Sequence, residues 1–545
     1  MGCLRNEMSE KCFSAAGNED GIYRLSIPTG GGKTFASLRY AFEKAKQQDK
    51  RHIYYIAPFL SILEQNAGEI RDLLKDDEHV LEHHSNVVIE ETDKESLKRY
   101  ELYTDEWSSP VILTTMVQFL NVLFGSEMTA VRRMRQLTDS IIIIDEAQSV
   151  PVRSINLFNT MLNFLSGCCH TTILLCTATQ PLFDRTPRKL LYGNPSDLIE
   201  NQTDYTNEFK RVDIKDETIE GGYSTDALAD FILAHFNENM LVILNTKSAV
   251  RGVYNAIKEL VSDDVDVIQL TTYMCAQHRL DIIKKMKQSL SSRKTICIST
   301  QLIEAGVDIS FQTVIRSLAG LDSITQTAGR CNRNGESIEP KTVYTFSLID
   351  ENLDKLHDIR SGKETTAQIM QNKEDDVDLL DETVMTEFYQ QYFKGKDSQM
   401  DYPTPGGETI YAMLSDNIYG KDNYINTFGK MFPHFIAQAF HSADSKFSLI
   451  DNNTQAVVVA CEEAENLFAE YCKEPAGVFT KNKVLIIKKL QKFSIALYEW
   501  QINILTEQNA LSRPNEETGI IFLSAVYYSP ETGVVMEASQ DNLIV

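Results

Sequence analysis

The stretch SIPTGGGKTFAS, residues 26–37, decides the fold of this 545-residue chain. Its three glycines remove the side chains that would keep a loop away from a phosphate group, and Lys33 and Thr34 follow where a helix would begin. The usual G-x-x-x-x-G-K-S/T pattern, however, has a glycine at the position of Ile27. Taken alone, the stretch is compatible both with a nucleotide site and with a glycine-rich turn.

A second motif, IIIIDEAQSVP at 141–151, favours the nucleotide site. Its four isoleucines predict a buried parallel strand whose carboxyl end carries Asp145 and Glu146, at the edge where open α/β sheets bind ligands. Asp145 is placed to hold Mg²⁺ together with Thr34, and Glu146 to polarise the water that attacks a γ-phosphate. Acidic strand ends are common on protein surfaces, but one that follows a P-loop in the same α/β unit is hard to obtain by chance. The two motifs together predict a site for ATP and Mg²⁺.

Short apolar runs surround these motifs and alternate with longer helical stretches. They show little polar alternation, which is typical of parallel strands buried on both faces of a sheet. The first group is RHIYYIAP (51–58), PVILTT (110–115), SIIIIDEA (140–147) and TTILLCTAT (171–179). After a polar stretch the second group is MLVILNTK (240–247), VDVIQLTT (265–272), KTICIST (294–300), TVIRSL (313–318) and TVYTFSL (342–348). The pattern predicts two doubly wound, parallel-sheet α/β domains.

The chain after residue 350 has a different pattern. Residues 351–405 are polar and turn-rich, which predicts a helix-containing connector. The remainder combines the helical stretch ACEEAENLFAEYCKE with strand-like TQAVVVA and TGIIFLSAVYY, which predicts an accessory α+β domain at 406–545. With the two α/β domains at 1–200 and 201–350, we predict four domains.

Composition narrows the class of protein. Hydrophobic residues make up 43% and charged residues 24%, as in soluble globular proteins. Because no segment has the apolar length of a membrane span and the first residues do not form a secretory signal, we expect no membrane contact and a cytoplasmic location. A net charge of −24 argues against indiscriminate coating of nucleic acid. Ten scattered cysteines without a C-x-x-C pair predict reduced thiols.

Two further motifs carry chemistry. The strand end LLCTATQP places Thr177 and Thr179 where their hydroxyls can bond to the carboxylates of the acid pair and couple hydrolysis to domain movement. In the second α/β domain, QTAGRCNRNGE carries Arg330 and Arg333, three residues apart and hence on one face of a predicted helix. Such a pair can act as arginine fingers that neutralise charge developing on the γ-phosphate. The alternative is a solvated basic face.

In chain order, PTGGGKT, TT-x-x-Q, DEAQ, TAT, LIEAGVD and Q-x-x-G-R-x-x-R resemble the motif series of superfamily 2 helicases. That group often has a proline two residues before the first P-loop glycine and does not require a glycine at Ile27. Longer segments, from GIYRLSIPTGGGKTFASLRYAF to LIEAGVDISFQTVIRSLAGLDSITQTAGRCNRNG, resemble the CRISPR-associated nuclease-helicase family of type I interference. MDYPTPGGETIYAMLSDN and KKLQKFSIALYEWQ are weakly similar to its accessory C-terminal domain.

The resemblance implies two tandem RecA-like motor domains and a set of functional residues. It implies ATP contacts at Thr29, Gly30, Gly31, Gly32, Lys33, Thr34, Asp145, Glu146, Asp308, Gln326, Arg330 and Arg333. It implies contacts to a DNA backbone at Thr114, Thr115, Gln118, Thr246, Thr300 and Gln301. Hydroxyls and amides suit a motor that grips phosphate without reading bases, although capping of a strand or helix end is the alternative for each.

Fused members of that family carry an HD nuclease domain, with metal-binding His and Asp side chains, ahead of the helicase. Here the P-loop begins at residue 30, so we expect this domain to be missing and the nuclease to be a separate protein or to have been lost. The dipeptide His357-Asp358 lacks spaced His and Asp partners and is interpreted as chance. His83-His84, which no clustered carboxylates follow, is interpreted as structural or DNA-facing.

The leading hypothesis is an ATP-dependent helicase of CRISPR antiviral defence. It would move along single-stranded DNA and unwind duplex target DNA after an RNA-guided, Cascade-type complex has opened an R-loop. An RNA helicase or a restriction-type translocase is the alternative among enzymes. A silent ATP-binding scaffold for a nuclease is the alternative of another class, and the intact Lys33, Asp145, Glu146 and Arg333 argue against it. Translocation polarity, CRISPR subtype and oligomeric state are open at this point.

Overall fold

The computed structural model describes residues 2–28, 30–75, 79–84, 94–199, 209–304, 307–372, 378–449, 454–475, 480–514 and 518–536. These residues form two compact units. The first unit contains the described residues up to 210 together with 379–449, and the second contains those from 211 to 378 together with 454–536. Within the described residues, the chain passes from one unit to the other three times.

Strands and helices are numbered here in chain order among the described residues. The strands are β1 Ile22–Ser26, β2 His52–Ala57, β3 Val80–His83, β4 Val111–Thr115, β5 Ser140–Asp145, β6 Thr172–Thr177, β7 Val212–Asp216, β8 Asn239–Ile243, β9 Val265–Leu270, β10 Lys294–Ser299, β11 Thr313–Ser317, β12 Lys341–Phe346, β13 Thr454–Val459, β14 Ser494–Tyr498, β15 Leu511–Ser512, β16 Phe522–Leu523, β17 Tyr528–Ser529 and β18 Gly533–Val534. The helices are α1 Gly2–Ser14, α2 Lys33–Gln48, α3 Leu60–Leu74, α4 Lys94–Glu106, α5 Met116–Phe124, α6 Met128–Gln136, α7 Ile155–Cys168, α8 Thr225–His235, α9 Lys247–Leu260, α10 Ala276–Ser289, α11 Leu321–Ala328, α12 His357–Asn372, α13 Glu382–Phe393, α14 Ile410–Leu414, α15 Ile418–Phe428, α16 Phe440–Lys446, α17 Glu462–Lys473, α18 Lys481–Gln491 and α19 Glu499–Glu507.

The first unit is built on a six-stranded parallel sheet in the order β1-β6-β5-β2-β4-β3. Its central strand β5 is buried along its whole length. Side chains alternate between the two faces of a strand, so Ile141 and Ile143 enter one core while Ile142 and Ile144 enter the other. Because β1, β6 and β5 are neighbours, the loops after them meet at one edge of the sheet.

Residues 379–449 complete one core of the first unit. Met400, Tyr402 and Met413 are buried in the same cluster as Phe158 of α7. Hydrogen bonds fix the contact, since the Asn156 amide nitrogen donates to Asp401 Oδ1 at 2.7 Å. This segment is part of the first unit although it follows the second sheet in the sequence.

The second unit contains another six-stranded parallel sheet, in the order β7-β12-β11-β8-β10-β9. Strands β8, β10 and β11 lie next to one another, and the residues that follow them carry the motifs around Thr246, Thr300 and Leu318. The two sheets confirm the predicted pair of tandem doubly wound α/β domains.

The last described residues add a smaller sheet to the second unit. Strands β14-β13-β16-β15 form a mixed sheet that packs with α17, α18 and α19. The β17–β18 hairpin binds the loop before α10, because the Val534 amide donates to the Tyr273 carbonyl at 3.0 Å. The fit is close, since a Cβ at Gly533 would lie 2.4 Å from the Tyr273 carbonyl carbon.

The nine predicted strands of the two parallel sheets are confirmed, with ends that shift by up to four residues, whereas β1, β3 and β7 were not among the predicted strands. One C-terminal strand prediction is wrong in extent: within TGIIFLSAVYY, only Phe522–Leu523 and Tyr528 pair, because a 3₁₀ turn at Ala525–Tyr527 interrupts the run. All ten cysteines are free thiols. Among the described helices, none combines the length and the apolarity that crossing a membrane requires. The four-domain organisation stays a prediction.

Met413→Ala should destabilise the first unit because it removes a buried side chain, which is 3% exposed, from the core that residues 379–449 complete. We expect a loss of about 2–5 kcal/mol in the free energy of unfolding. In a Trp500→Phe background, Trp107 is the only tryptophan and lies in this same core, so its fluorescence follows denaturant unfolding of the first unit. Met431→Ala, at a position 82% exposed, is the matched control and should change little. Equal effects of the two substitutions would contradict the placement of residues 379–449 in the core of the first unit.

Candidate nucleotide site

The glycine-rich loop connects β1 to α2. Gly30 and Gly32 have φ angles of 78° and 88°, in the left-handed region that glycine adopts without strain. At Gly31, a Cβ would lie 2.5 Å from Cγ2 of Ile27 and 2.9 Å from the Pro28 carbonyl oxygen. Ile27 therefore packs against the loop, and only a residue without a Cβ fits at position 31.

Lys33, the first residue of α2, lies between the two acidic side chains. Its Nζ donates to Asp145 Oδ1 at 2.8 Å and to Glu146 Oε1 at 2.6 Å. Burial by itself lowers the pKa of Lys33, but attraction to the two carboxylates outweighs this effect and raises the pKa. Lys33 is therefore charged, and the protein itself neutralises that charge.

Tyr55 and Asn66 orient Asp145, and the sequence analysis missed both. The Tyr55 hydroxyl donates to Asp145 Oδ2 at 2.8 Å, and the Asn66 amide nitrogen donates to the Tyr55 oxygen at 3.1 Å. Burial raises the pKa of Tyr55, so its hydroxyl keeps the proton that it donates. The available signal was a tyrosine at an inward position of the apolar strand β2.

Glu146 is linked to the end of β6 through Gln148. The Gln148 amide nitrogen donates to Glu146 Oε2 at 2.6 Å, and the Thr177 hydroxyl donates to Gln148 Oε1 at 2.6 Å. The hydrogen bonds of Thr177 therefore reach the acid pair through Gln148, where direct bonds to the carboxylates had been expected. Thr179 contacts the Thr177 hydroxyl through its backbone and Tyr389 through its side chain. The coupling role of the two threonines stays a prediction.

Arg330 and Arg333 do not lie on a helix, which corrects the sequence analysis. Helix α11 ends at Ala328, and Cys331 then pairs with Phe311 as an isolated bridge. The Phe311 amide donates to the Arg330 carbonyl at 2.9 Å, and the Asn332 amide donates to the Phe311 carbonyl at 2.9 Å. These long-range bonds draw the backbone out of the helical path.

The two arginines have different environments. Arg333 is 23% exposed at its side chain and pairs with Asp308, whose Oδ1 lies 2.8 Å from the arginine Nε. Arg330 is buried and donates to the carbonyl oxygens of Glu304 and Val307. Gln326 lies on α11, half-buried. The structure thus groups Asp308, Gln326 and both arginines within the second unit, and their contacts to ATP stay predictions.

A buried ion pair supports this group and was not foreseen. Glu304 Oε1 lies 3.0 Å from Nε of Arg316, a fully buried residue of β11. The Glu304 carboxylate also accepts hydrogen bonds from Ser323 and Thr327 of α11. One side chain therefore joins the loop after β10 to both β11 and α11.

Several residues predicted to contact DNA cap the ends of strands and helices. Thr115 Oγ1 accepts from the Gln118 amide, and Thr246 Oγ1 accepts from the Ala249 amide. Thr114 is fully buried and donates to the His83 carbonyl at 2.8 Å. Thr300 and Gln301 begin a short 3₁₀ turn. Contact of these residues with DNA stays a prediction, as does the ATP contact of Thr29, which lies outside the described residues.

The histidine pairs noted in the sequence have ordinary surroundings. His83 Nδ1 accepts from the Trp107 indole at 3.1 Å, and His84 contacts Glu82. His357 and Asp358 begin α12. In the described part of the chain, no three His, Cys, Asp or Glu residues are grouped to hold a metal ion.

Two family models match the chain. Residues 7–186 match the DEAD/DEAH box helicase model, and residues 237–336 match the model for the C-terminal part of CRISPR-associated nuclease/helicase Cas3. The first matched region is similar to helicases of the DEAD/DEAH type, and the second is similar to Cas3 in particular. The motif-based resemblance is therefore confirmed at the level of the family.

Curated Cas3 proteins are similar to the chain over part of their length. The Haloferax volcanii protein is 26% identical over 61% of this chain and 47% of its own length, and the Methanothermobacter thermautotrophicus protein is 25% identical over 74% and 51%. The chain spans about half the length of these relatives. The crystal structure of T. fusca Cas3 matches with a TM-score of 0.67 at 13% identity, covering 97% of this chain and 70% of that one, which shows a shared fold.

Gly31→Ala should disturb the phosphate loop because the new methyl group would contact both Ile27 and Pro28. Overpacking of this kind costs about 1–3 kcal/mol, so we expect a lower melting temperature and weaker binding of an ATP analogue. Gly68→Ala is the matched control, because Gly68 lies on an exposed part of α3 with no atom within 4 Å of a new Cβ. The control should keep or raise stability. Unchanged melting and binding in Gly31→Ala would contradict the geometry described for the loop.

Proposed function

We propose that the chain is an ATP-driven motor that moves along single-stranded DNA and unwinds duplex target DNA during CRISPR interference. The observation that carries the proposal is the arrangement of Lys33 between Asp145 and Glu146 beside the glycine-rich loop. It brings together the cation, the acidic residues and the glycine loop that phosphoryl transfer from ATP to water requires.

Binding of ATP would change the partners of Lys33. The ammonium group would move from the two carboxylates to the β- and γ-phosphates, because phosphate oxygens offer it the same charge-assisted hydrogen bonds. Glu146, released from Lys33 and still bonded to Gln148, would then accept a hydrogen bond from the attacking water. Because of this exchange, Glu146 would activate the water only when a nucleotide is bound.

The acidic residues also fit a magnesium ion. Mg²⁺ prefers oxygen ligands and usually takes one or two carboxylates together with substrate phosphates. The Asp145 carboxylate and the Thr34 hydroxyl are ligands of this kind, and Thr34 lies in the first turn of α2. When bound, the ion would neutralise charge on the phosphate oxygens, and these two residues would hold it.

The proposal extends to the partners of the motor. One matching structure is described as a CRISPR RNA-guided surveillance complex before nicking, with a TM-score of 0.60, 13% identity, and coverage of 98% of this chain and 70% of that one. We propose that a complex of that kind recruits this chain, and that it acts together with an HD nuclease. The phosphate-gripping residues of the motor would be the threonines and glutamines at the ends of β4, β8 and β10.

The central experiment measures ATP hydrolysis alone and with single-stranded DNA, single-stranded RNA or blunt duplex DNA. Stimulation by single-stranded DNA supports the proposal, because a motor uses ATP fastest on its track. Stimulation by RNA alone would favour an RNA helicase, and stimulation by duplex alone a restriction-type translocase. ATP binding without turnover would favour a silent scaffold.

Lys33→Ala and Glu146→Gln should separate nucleotide binding from hydrolysis. Lys33→Ala removes the phosphate-binding cation, so both ATP binding and turnover should be lost. Glu146→Gln keeps the size of the side chain but not its basicity, so ATP should bind while turnover falls about 10²- to 10⁴-fold. Nucleotide binding and phosphate release are measured for both variants. Asp105→Asn, at an exposed position of α4, is the control, and near wild-type turnover in Glu146→Gln would sink the assignment.

Arg333→Ala should reduce turnover far more than it weakens ATP binding. An arginine finger contributes about 10³- to 10⁵-fold to turnover because it neutralises charge in the transition state. Arg333→Lys should not restore activity, since lysine lacks the planar fork of donors. Asp308→Asn frees Arg333 from its ion pair without removing the guanidinium, so it tests the pair separately. Full activity in Arg333→Lys would show that Arg333 belongs to a solvated basic face.

A further inference from the structure

Two cations of α9 lie against aromatic rings in the second unit. The Lys247 ammonium is 4.4 Å from the centre of the Tyr273 ring and 5.8 Å from that of Tyr498. The Arg251 guanidinium is 5.2 Å from the Tyr273 ring. Lys247 directly follows Thr246, one of the residues predicted to contact DNA. This group of rings and cations is therefore next to a predicted DNA-contacting residue of the second unit.

No acidic residue of the described chain neutralises these cations. Burial lowers the pKa of Lys247, and no carboxylate counteracts it. Burial likewise lowers the pKa of Arg251, against which only Tyr273 acts. The segment that leads to Tyr498 is basic, because residues 481–498 include five lysines and no Asp or Glu in a chain of net charge −24, and Glu499 is the first acidic residue after it. A half-buried cation without a counter-charge is stabilised by an anionic ligand.

Tyr498 and Trp500 are two exposed aromatic residues of the same segment, two positions apart in the sequence. They are 43% and 49% exposed, whereas the other tryptophan of the chain, Trp107, is fully buried. Tyr498 ends β14, and its amide donates to Oε1 of the buried Gln501 at 3.0 Å. Both rings are accessible, as stacking on nucleic-acid bases requires.

The β17–β18 hairpin contacts Arg251 and Tyr273. Val534 accepts a hydrogen bond from Arg251 through its carbonyl, while its amide donates to the Tyr273 carbonyl. Gly533 lets this backbone approach Tyr273 closely, because its φ of 81° and the lack of a Cβ remove the obstacles. The C-terminal residues thus fix both the cation and the ring.

We propose that Lys247, Arg251, Tyr273, Tyr498 and Trp500 form an aromatic platform that binds single-stranded DNA by stacking its unpaired bases. The cations hold the phosphate backbone while the exposed rings stack on bases regardless of sequence, which suits a motor that must pass over any target. This inference rests on the proposed function and assigns to the C-terminal segment a direct part in gripping the track.

Tryptophan fluorescence tests the contact directly because the chain has only two tryptophans. Oligo-dT added to the Trp107→Phe variant should quench the emission of Trp500. In Trp500→Phe, where the buried Trp107 is the only emitter, the same oligonucleotide should cause no quenching. Quenching in Trp500→Phe of the same size as in Trp107→Phe would overturn the platform.

Affinity measurements test how much the aromatic platform contributes to the binding of single-stranded DNA. Trp500→Ala should weaken oligo-dT binding about 5- to 150-fold, the equivalent of about 1–3 kcal/mol for one stacked base, while Trp500→Phe should retain most of the affinity. Phe164→Ala, at a position 44% exposed in the first unit, is the matched control and should bind normally. Lys247→Gln should flatten the dependence of log K on log salt by about 0.7, the value for one phosphate of a single strand.

The outcomes separate this inference from the proposed function. If the wild-type chain binds no single-stranded DNA, the proposed function fails and the platform with it. If the wild type binds and Trp500→Ala binds equally well, only the platform fails, and a protein partner becomes the better occupant. Binding to blunt duplex should not change in Trp500→Ala, because paired bases are not free to stack, and an equal loss there would overturn stacking. Tighter binding of oligo-rU than of oligo-dT would overturn the assignment to DNA.

Discussion

The parallel hydrogen-bonded ladder of β1, β6 and β5 is the constraint on which the nucleotide site depends. Parallel pairing brings three carboxyl ends to one edge, although the strands come from sequence positions about 150 residues apart. Each end then delivers one part of the site: the glycine loop with Lys33, the acid pair, and Thr177. The register of β5 matters here, because a shift by one residue would move Asp145 to the other face of the sheet.

Charge is arranged differently in the two units. In the first unit, Asp145 and Glu146 neutralise Lys33, and in the proposed cycle phosphate would take their place. In the second, Glu304 neutralises the buried Arg316 permanently and so fixes a loop to its neighbours. Lys247 has neither arrangement, since no carboxylate of the described residues acts on it. The ion pairs of Lys33 suit an exchange of partners, and the pair of Glu304 with Arg316 supports the surrounding loop. The position of Lys247 suits the anion that we propose.

Local sequence patterns predicted the features that depend on neighbouring residues in the sequence. Apolar runs indicated nine of the twelve strands of the two parallel sheets, and the spacing of glycine, lysine and acidic residues indicated which residues meet at the sheet edge. The predictions that differed from the structure depended on distant contacts. Arg330 and Arg333 leave the helical path because Phe311 pairs with Cys331, and Thr177 reaches Glu146 through Gln148. Tyr55 could not be distinguished from the other core residues of its strand, because its partners Asn66 and Asp145 lie on other elements.

The ribosome synthesises the chain from its N-terminus, but the core of the first unit is built from segments that are far apart in the sequence. Phe158 is synthesised early, but Met400, Met413 and Ala443 of the same cluster emerge only after the whole second parallel sheet, whose strands span residues 212–346. The second sheet can therefore fold while the first unit still exposes the apolar surface that these late residues will cover. During that interval the exposed apolar surface of the nascent first unit would be open to chaperone binding and to aggregation.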